Sequence, residues 1–141
     1  MSLVYFTDRD LGKRFPQILR DAGLTVERHD DHFSPWTPDE EWLATVGERG
    51  WVAITHDRRI RYKPNELEAV IANRVALLVL VGKSASEELA QAFVATHPAI
   101  ERFISKRSPP FVAKVFRGAR PASSGARWST GRIELWFPIS G

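Results

Sequence analysis

Several features are missing from this 141-residue sequence, and each absence narrows the possible functions. The chain has no cysteine, which excludes a disulfide framework and thiolate metal sites and agrees with a reducing compartment. No apolar run approaches the roughly 20 residues that a membrane-spanning helix needs. The first apolar run meets an acid at Asp8, which does not fit a secretory signal. We therefore expect a water-soluble, cytoplasmic protein.

Negative charge is almost absent from the C-terminal part of the sequence. Residues 1–101 contain 12 Lys and Arg against 16 Asp and Glu, whereas residues 102–141 contain 8 against 1, which is Glu134. An acidic body with a basic tail suits an enzyme that binds a cation with its acids and a polyanion with its bases. A basic edge that serves only solubility explains the same distribution, so charge alone leaves both interpretations open.

Hydrophobic patterns alternate along the chain between strand-like runs and helical periodicity. The alternation predicts an α/β domain, with a parallel sheet and helices on both faces. Two further strands, at 111–118 and 132–138, are predicted to form a C-terminal β-hairpin. The core would then span residues 1–105, and a basic β-hairpin extension of the same domain would span 106–141. The four predicted strands of the core are 3–6, 24–28, 51–55 and 75–82.

Capping residues and prolines predict where the helices begin and end. Thr37 and Glu40 have the spacing of a capping box around Pro38, so a helix is predicted to begin there. Residues 29–38 before it are predicted to be a polar loop. Pro98 is predicted to break the last helix of the core, with a separate helical turn after it.

Aspartates directly follow two of the predicted strands. Asp8 and Asp10 come after the first strand, and Asp57 comes after the third. Ligand sites in parallel sheets lie outside the carboxyl ends of the strands. Asp39 and Glu40 open the helix that leads to the third strand and could reach the same edge, although capping alone explains acids there. Carboxylates that converge without cysteine form an oxygen-only site, which suits Mg²⁺ or Mn²⁺.

Basic residues come next in the sequence after Asp57, so they are expected at the same edge. They are Arg58, Arg59, Arg61 and Lys63. We expect them to bind RNA phosphates, with a solvated loop as the alternative. Basic residues of the tail could extend that path, and Trp128 and Trp136 among them could stack bases. The "HDDH" segment, 29–32, offers ligand-type residues on a short loop, where they need not converge, so we expect no metal site there.

The segments "VYFTDRDLGKRFPQILRDAGLTVERHDD" and "TPDEEWLATVGERGWVAITHDRRI" resemble the small PIN-like domains, close to the toxin nucleases of toxin–antitoxin pairs. In that pattern a first strand ends in Asp, a helix with "LRDAG" follows, and a "DEE" helix leads to an apolar strand ending in Thr-x-Asp. The resemblance covers roughly residues 3–82. It implies a Mg²⁺- or Mn²⁺-dependent ribonuclease that hydrolyses RNA by a metal-activated water, with an antitoxin protein as its partner.

The resemblance also assigns roles to individual residues. Asp8 looks like the metal ligand of the first strand, Asp39 like the acid of the "DEE" helix, and Asp57 like the acid that closes the Thr-x-Asp strand. Thr55 would orient Asp57 or the attacking water. Asp10 stands where many relatives of this short class have Asn. Larger members carry a further glutamate, and the acids in the corresponding gap are Glu27, Asp30 and Asp31.

Two other functions fit the same sequence. A non-catalytic RNA- or protein-binding module on this fold would bind without needing the carboxylates. An aspartate-dependent phosphotransfer domain is the other, because "TDRD" resembles the D-x-D of haloacid dehalogenase-like phosphatases, and Asp57 resembles the acceptor of response-regulator receivers. The basic tail fits neither phosphotransfer class. The oligomeric state stays open, with a homodimer among the options.

Overall fold

The computed structural model describes residues 3–57, 63–123 and 126–138, and the elements below lie within them. The strands are β1 (Val4–Thr7), β2 (Thr25–Arg28), β3 (Val52–Thr55), β4 (Ala76–Val81), β5 (Phe111–Phe116) and β6 (Arg132–Phe137). The helices are α1 (Arg14–Asp21), α2 (His29–His32), α3 (Asp39–Arg49), α4 (Pro64–Ala72) and α5 (Ser86–Ser105), and a short 3₁₀ turn spans Arg9–Leu11.

All the described strands join one sheet, in the order β2-β1-β3-β4-β5-β6. The first five strands in this order run parallel, and β6 pairs antiparallel with β5. The predicted α/β fold with a parallel sheet and a C-terminal antiparallel strand pair is therefore confirmed. Parallel strands direct their carboxyl ends to one edge, which places the residues after β1 and β3 side by side.

Two hydrophobic layers cover the sheet, one on each face. Alternate residues of β4 point to opposite layers: Leu78 packs with α1 and α5, whereas Leu77 and Val79 pack with α3 and α4. Because both faces are buried, the strand reads as a continuous apolar run rather than an alternating one. The helices on both faces match the prediction from the sequence.

The C-terminal strands continue the sheet of the core. β5 pairs with β4 along its whole length, from Ala76 opposite Phe111 to Val81 opposite Phe116. β6 then adds an antiparallel edge strand, with a register irregularity at Val112. The predicted hairpin is thus built onto the parallel sheet through β5.

The segment before α3 differs from the prediction. α3 begins at Asp39 with Pro38 as its N-cap, and no side chain caps it, so the predicted capping box does not form. The Thr37 hydroxyl instead lies 3.1 Å from the Ser34 hydroxyl, within a turn. The predicted loop also contains a short helix, α2, in which His29 is buried beside Phe6 of β1.

Helix α5 continues through Pro98 to Ser105, so the predicted break is wrong. A proline removes one backbone hydrogen bond within a helix. Phe93 and Ile100, on either side of it, are both buried against the sheet, and tertiary packing of this kind stabilises a helix more than local propensity does. Among the helices of the described residues, none has the length and apolar character that crossing a membrane requires.

Candidate active site

The ends of β1 and β3 are neighbours at the carboxyl edge of the sheet. Thr7 is paired with Ile54, and the backbone N–H of Asp8 donates to the carbonyl of Ile54 at 3.0 Å. The Asp8 carboxylate also accepts from the backbone N–H of Arg9 at 2.7 Å, as the N-cap of the 3₁₀ turn. The strand pairing therefore fixes Asp8 directly beside Thr55.

Thr55 connects the acids of the two strand ends. Its buried hydroxyl donates to Oδ2 of Asp8 at 2.9 Å and lies 3.3 Å from Oδ2 of Asp10. The same Oγ1 accepts from the backbone N–H of Asp57 at 3.1 Å. The backbone N–H of His56 also donates to Asp10, at 3.0 Å. A hydroxyl has one hydrogen, so the shorter distance marks Asp8 as its main acceptor.

A cleft of about 360 Å³ opens at this edge. It is lined by Asp8, Arg9, Asp10, His29, Pro35, Thr37, Asp39 and Asp57. α3 brings in Asp39, whose Oδ1 accepts from the indole N–H of the buried Trp42 at 2.9 Å. The structure thus brings together four of the predicted acids, whereas Glu40 is not among the residues that line the cleft.

The electrostatics of the cleft disfavour several ionised carboxylates without a cation. Burial, and next the neighbouring Asp10 charge, raise the pKa of Asp8 to about 7. Burial also raises the pKa of Asp10, although much of that side chain stays exposed. A divalent cation would remove this repulsion, so the oxygen-only set fits Mg²⁺ or Mn²⁺ in its chemistry.

The carboxylates are engaged by groups of the protein itself. Lys63 places its ammonium 3.0 Å from Oδ2 of Asp57, and Trp42 and Thr55 bond to Asp39 and Asp8. Within residues 3–57, 63–123 and 126–138, no three His, Cys, Asp or Glu side chains already form a group that could hold a metal ion. Binding of a cation would therefore have to compete with these internal contacts.

Three acids lie in the gap where larger relatives carry a further glutamate, and all three contact basic side chains. Glu27 pairs with His32 at 2.8 Å, and Asp31 pairs with Arg28 at 3.7 Å. Asp30 lies 3.3 Å from Nε of Arg9. None of these acids lines the cleft, so none stands in for the further glutamate of larger relatives.

From the "HDDH" segment, His29 lines the cleft, a position that the sequence did not suggest. Its side chain is 3% exposed, and burial lowers its pKa. Nδ1 lies 3.5 Å from Oδ1 of Asp30 without hydrogen-bonding geometry. Arg9 is a second lining residue that sequence reasoning missed, and its position directly after Asp8 was the available signal.

Of the four basic residues predicted to bind RNA phosphates after Asp57, the structure describes Lys63. Arg58, Arg59 and Arg61 lie outside the described residues. Lys63 contacts Asp57, and Lys63 and Glu66 are 3.9 Å apart. The structure thus shows Lys63 in contact with a carboxylate of the cleft.

Four of the eight basic residues of the tail contact aromatic or acidic side chains. Lys114 lies over Trp136, Arg132 over Phe116, and Arg107 over Phe103, while Arg120 pairs with Glu88. Arg117 instead reaches the carboxyl edge, where its Nη1 donates to the carbonyl of Lys83 at 3.1 Å. Trp128 is 8% exposed and donates to Gln91 at 3.3 Å, so the prediction that it stacks bases is wrong.

Comparison with known families identifies the class of domain. A sequence profile of the PIN-like domain family matches residues 3–82, which is more than half of the chain and contains every acid of the cleft. The chain belongs to the PIN-like domain family. PIN-like domains are generally nucleases that use divalent metals. No curated protein and no solved structure shows significant similarity to this chain.

Proposed function

We propose that this protein is a divalent-metal-dependent endoribonuclease that hydrolyses RNA phosphodiesters, and that it is the toxin of a toxin–antitoxin pair. The observation that carries the proposal is the convergence of Asp8, Asp10, Asp39 and Asp57 on one cleft, within the segment that matches the nuclease family. Thr55 orders two of these acids from a buried position.

The residues of the cleft would have distinct roles in metal binding and in positioning. Asp8, Asp10, Asp39 and Asp57 would hold Mg²⁺ or Mn²⁺, and the ion when bound activates a water and stabilises the leaving oxygen of a phosphodiester. The Thr55 hydroxyl keeps the Asp8 carboxylate oriented toward the cleft.

Arg9 contributes a positive charge to the wall of a cleft that is otherwise mainly acidic. Its guanidinium is shared between Asp30 and the carbonyl of Pro35, which fixes it at the rim. A phosphate of RNA in the cleft could pair with this charge.

The toxin role rests on the resemblance to toxin nucleases and adds a protein partner. An antitoxin could cover the basic edge or insert a cation among the acids, and the Lys63–Asp57 contact shows that an ammonium fits beside one of them. Expression of the protein alone should arrest growth, and co-expression of the product of an adjacent small reading frame should relieve the arrest. Growth that is unaffected by the intact protein would reject the toxin role and leave the nuclease activity to be judged separately.

The nuclease is tested with purified protein and mixed RNA, with Mn²⁺, with Mg²⁺ and with a chelator. Asp8→Asn and Asp57→Asn should abolish cleavage, whereas Asp21→Asn, which removes an exposed acid bonded to Gln17, should retain it. Cleavage that continues in the chelator, or in both site variants, would contradict a metal-dependent mechanism through these acids.

A second function has specific support. The cleft carboxylates are already paired with Thr55, Trp42 and Lys63, which agrees with a non-catalytic RNA-binding module on the same fold. RNA that is bound but not cut by the wild type and by both site variants would favour this module. Phosphate transferred to Asp57 would instead favour the phosphotransfer class.

A further inference from the structure

Trp36 is an exposed tryptophan at the rim of the acidic cleft. Its side chain is 85% exposed, and the residues on either side of it, Pro35 and Thr37, both line the cleft. Among the described residues, the other exposed large apolar side chain is Ile71, at 43%. An indole exposed to water beside a candidate active site contributes little to the hydrophobic core and is accessible to a ligand.

The turn that carries Trp36 is held in place at several points. The backbone N–H of Thr37 donates to the carbonyl of Ser34 at 3.1 Å, which closes a β-turn with Pro35 and Trp36 in its centre. Proline is favoured at the first central position of such turns. Nη1 of Arg9 donates to the carbonyl of Pro35 at 3.4 Å. The backbone of Trp36 is therefore tied to the segment that carries Asp8.

Two other tryptophans of the chain are buried. Trp42 is 1% exposed and Trp128 is 8% exposed, so both belong to the interior. In the described part of the chain, no aromatic ring and no cation contacts the indole of Trp36. With respect to the described residues, the indole is therefore largely accessible to a flat ligand.

We propose that Trp36 stacks on an unpaired base of the RNA whose backbone lies in the acidic cleft. The inference rests on the proposed ribonuclease function and adds a base-binding position to it. Aromatic side chains stack on bases of single-stranded RNA, and every base offers a π-face, so this contact anchors RNA with little sequence preference.

The surroundings of Trp36 favour RNA over a protein partner. Beside Pro35, its neighbours along the rim include the polar or charged Arg9, Ser34, Thr37 and Asp39. A protein interface usually places its aromatic anchor within a contiguous apolar core, which this rim lacks among the described residues. A lone aromatic ring beside charged groups suits one base and its phosphate.

The test measures binding without cleavage. The dissociation constant of a labelled single-stranded RNA is determined for the Asp8→Asn protein with and without Trp36→Ala. Loss of one stacked base should weaken binding roughly 5- to 140-fold. Trp36→Phe should retain most of the affinity, and Ile71→Ala, which removes the other exposed apolar side chain, should not change it.

An RNA of the same length with abasic sites provides the decisive comparison, because it keeps the phosphates and removes the stacking partner. Trp36→Ala should then make no difference. An unchanged affinity for normal RNA, an equal loss on abasic RNA, or no RNA binding at all would overturn the proposal. The proposal would also be overturned if Trp36→Ala abolished binding of a protein partner and left the affinity for RNA unchanged.

Failure of this inference and failure of the nuclease proposal are separable. Wild-type cleavage of RNA with an unchanged dissociation constant in Trp36→Ala would reject only the role of Trp36. Binding that depends on Trp36, without cleavage by the wild type, would reject only the nuclease.

Discussion

The ammonium of Lys63 lies 3.0 Å from Oδ2 of Asp57, at the edge of the sheet where the resemblance expects a metal ion. Hydrogen bonding to Asp57 raises the pKa of Lys63, so the side chain carries its charge throughout the physiological pH range. The chain thus supplies its own cation to one carboxylate of the cleft. A divalent ion that binds Oδ2 of Asp57 has to compete with this ammonium.

Lys63→Met should tighten binding of Mn²⁺, because the competing ammonium is removed. An ion pair of this partly exposed kind contributes up to about 1 kcal/mol, which corresponds to about a fivefold change in affinity. Calorimetric titration of the metal-free protein measures it. Lys83→Met is the matched control, since it removes a lysine at the same edge that does not contact the acids. Equal Mn²⁺ affinities for the two variants would contradict the competition.

The stability of the metal-free protein should depend on pH through Asp8. Its pKa is raised from 3.8 to about 7 in the folded state, so the folded protein binds this proton more tightly than the unfolded chain does. The corresponding stability is fully present below about pH 4 and is lost as the pH rises through about 7.

Chemical denaturation in a chelator, from pH 4 to pH 8, tests this relation against Asp8→Asn. The wild type should lose up to roughly 4 kcal/mol relative to the variant over this range. Asp10 is present in both proteins, so the difference between them reports on Asp8 together with its coupling to Asp10. A difference that stays constant with pH would show that Asp8 does not titrate in this window.

The hydroxyl group of Thr55 should contribute more to the free energy of unfolding than the shape of its side chain does. Thr55→Val keeps the shape of the side chain but leaves Asp8 and the backbone N–H of Asp57 without their shared partner. We expect a loss of about 1–3 kcal/mol in the free energy of unfolding. Thr55→Ser restores the hydroxyl and should recover much of the loss. A valine variant as stable as the serine variant would argue against this role.

Gly47 should resist substitution although it lies inside a helix. Helix propensity alone predicts that Gly47→Ala stabilises α3 by about 1 kcal/mol. A Cβ there would stand 2.1 Å from the carbonyl oxygen of Asn73 in the packed α3–α4 pair. Such overpacking typically costs about 1–3 kcal/mol, so we expect net destabilisation.

Thermal denaturation of Gly47→Ala beside Gly50→Ala separates packing from backbone strain. At Gly50 a new Cβ meets nothing within 4 Å, and only the left-handed φ of +69° opposes the change, at roughly 1–2 kcal/mol. A stabilised Gly47→Ala protein would mean that α3 and α4 separate easily, and that Asp39 is not rigidly held.

The part of the fold that depends on sequence periodicity was predictable. Alternating strand and helix patterns indicate the parallel sheet, and the common direction of its strands places Asp8 and Asp57 at one edge. Helix boundaries were less predictable. Pro98 stays inside α5 because packing of Phe93 and Ile100 outweighs one missing hydrogen bond, and such packing is not visible in local sequence.

The fold class, the acids and the strands that precede them can be read from the sequence, because hydrophobic periodicity is a local property of the chain. Which side chains meet depends on how the elements pack together. This packing buries Trp128 and exposes Trp36, joins Thr55 to Asp8, and places Lys63 on Asp57. Exposure and pairing depend on which distant element packs over a residue, and no spacing along the chain encodes that.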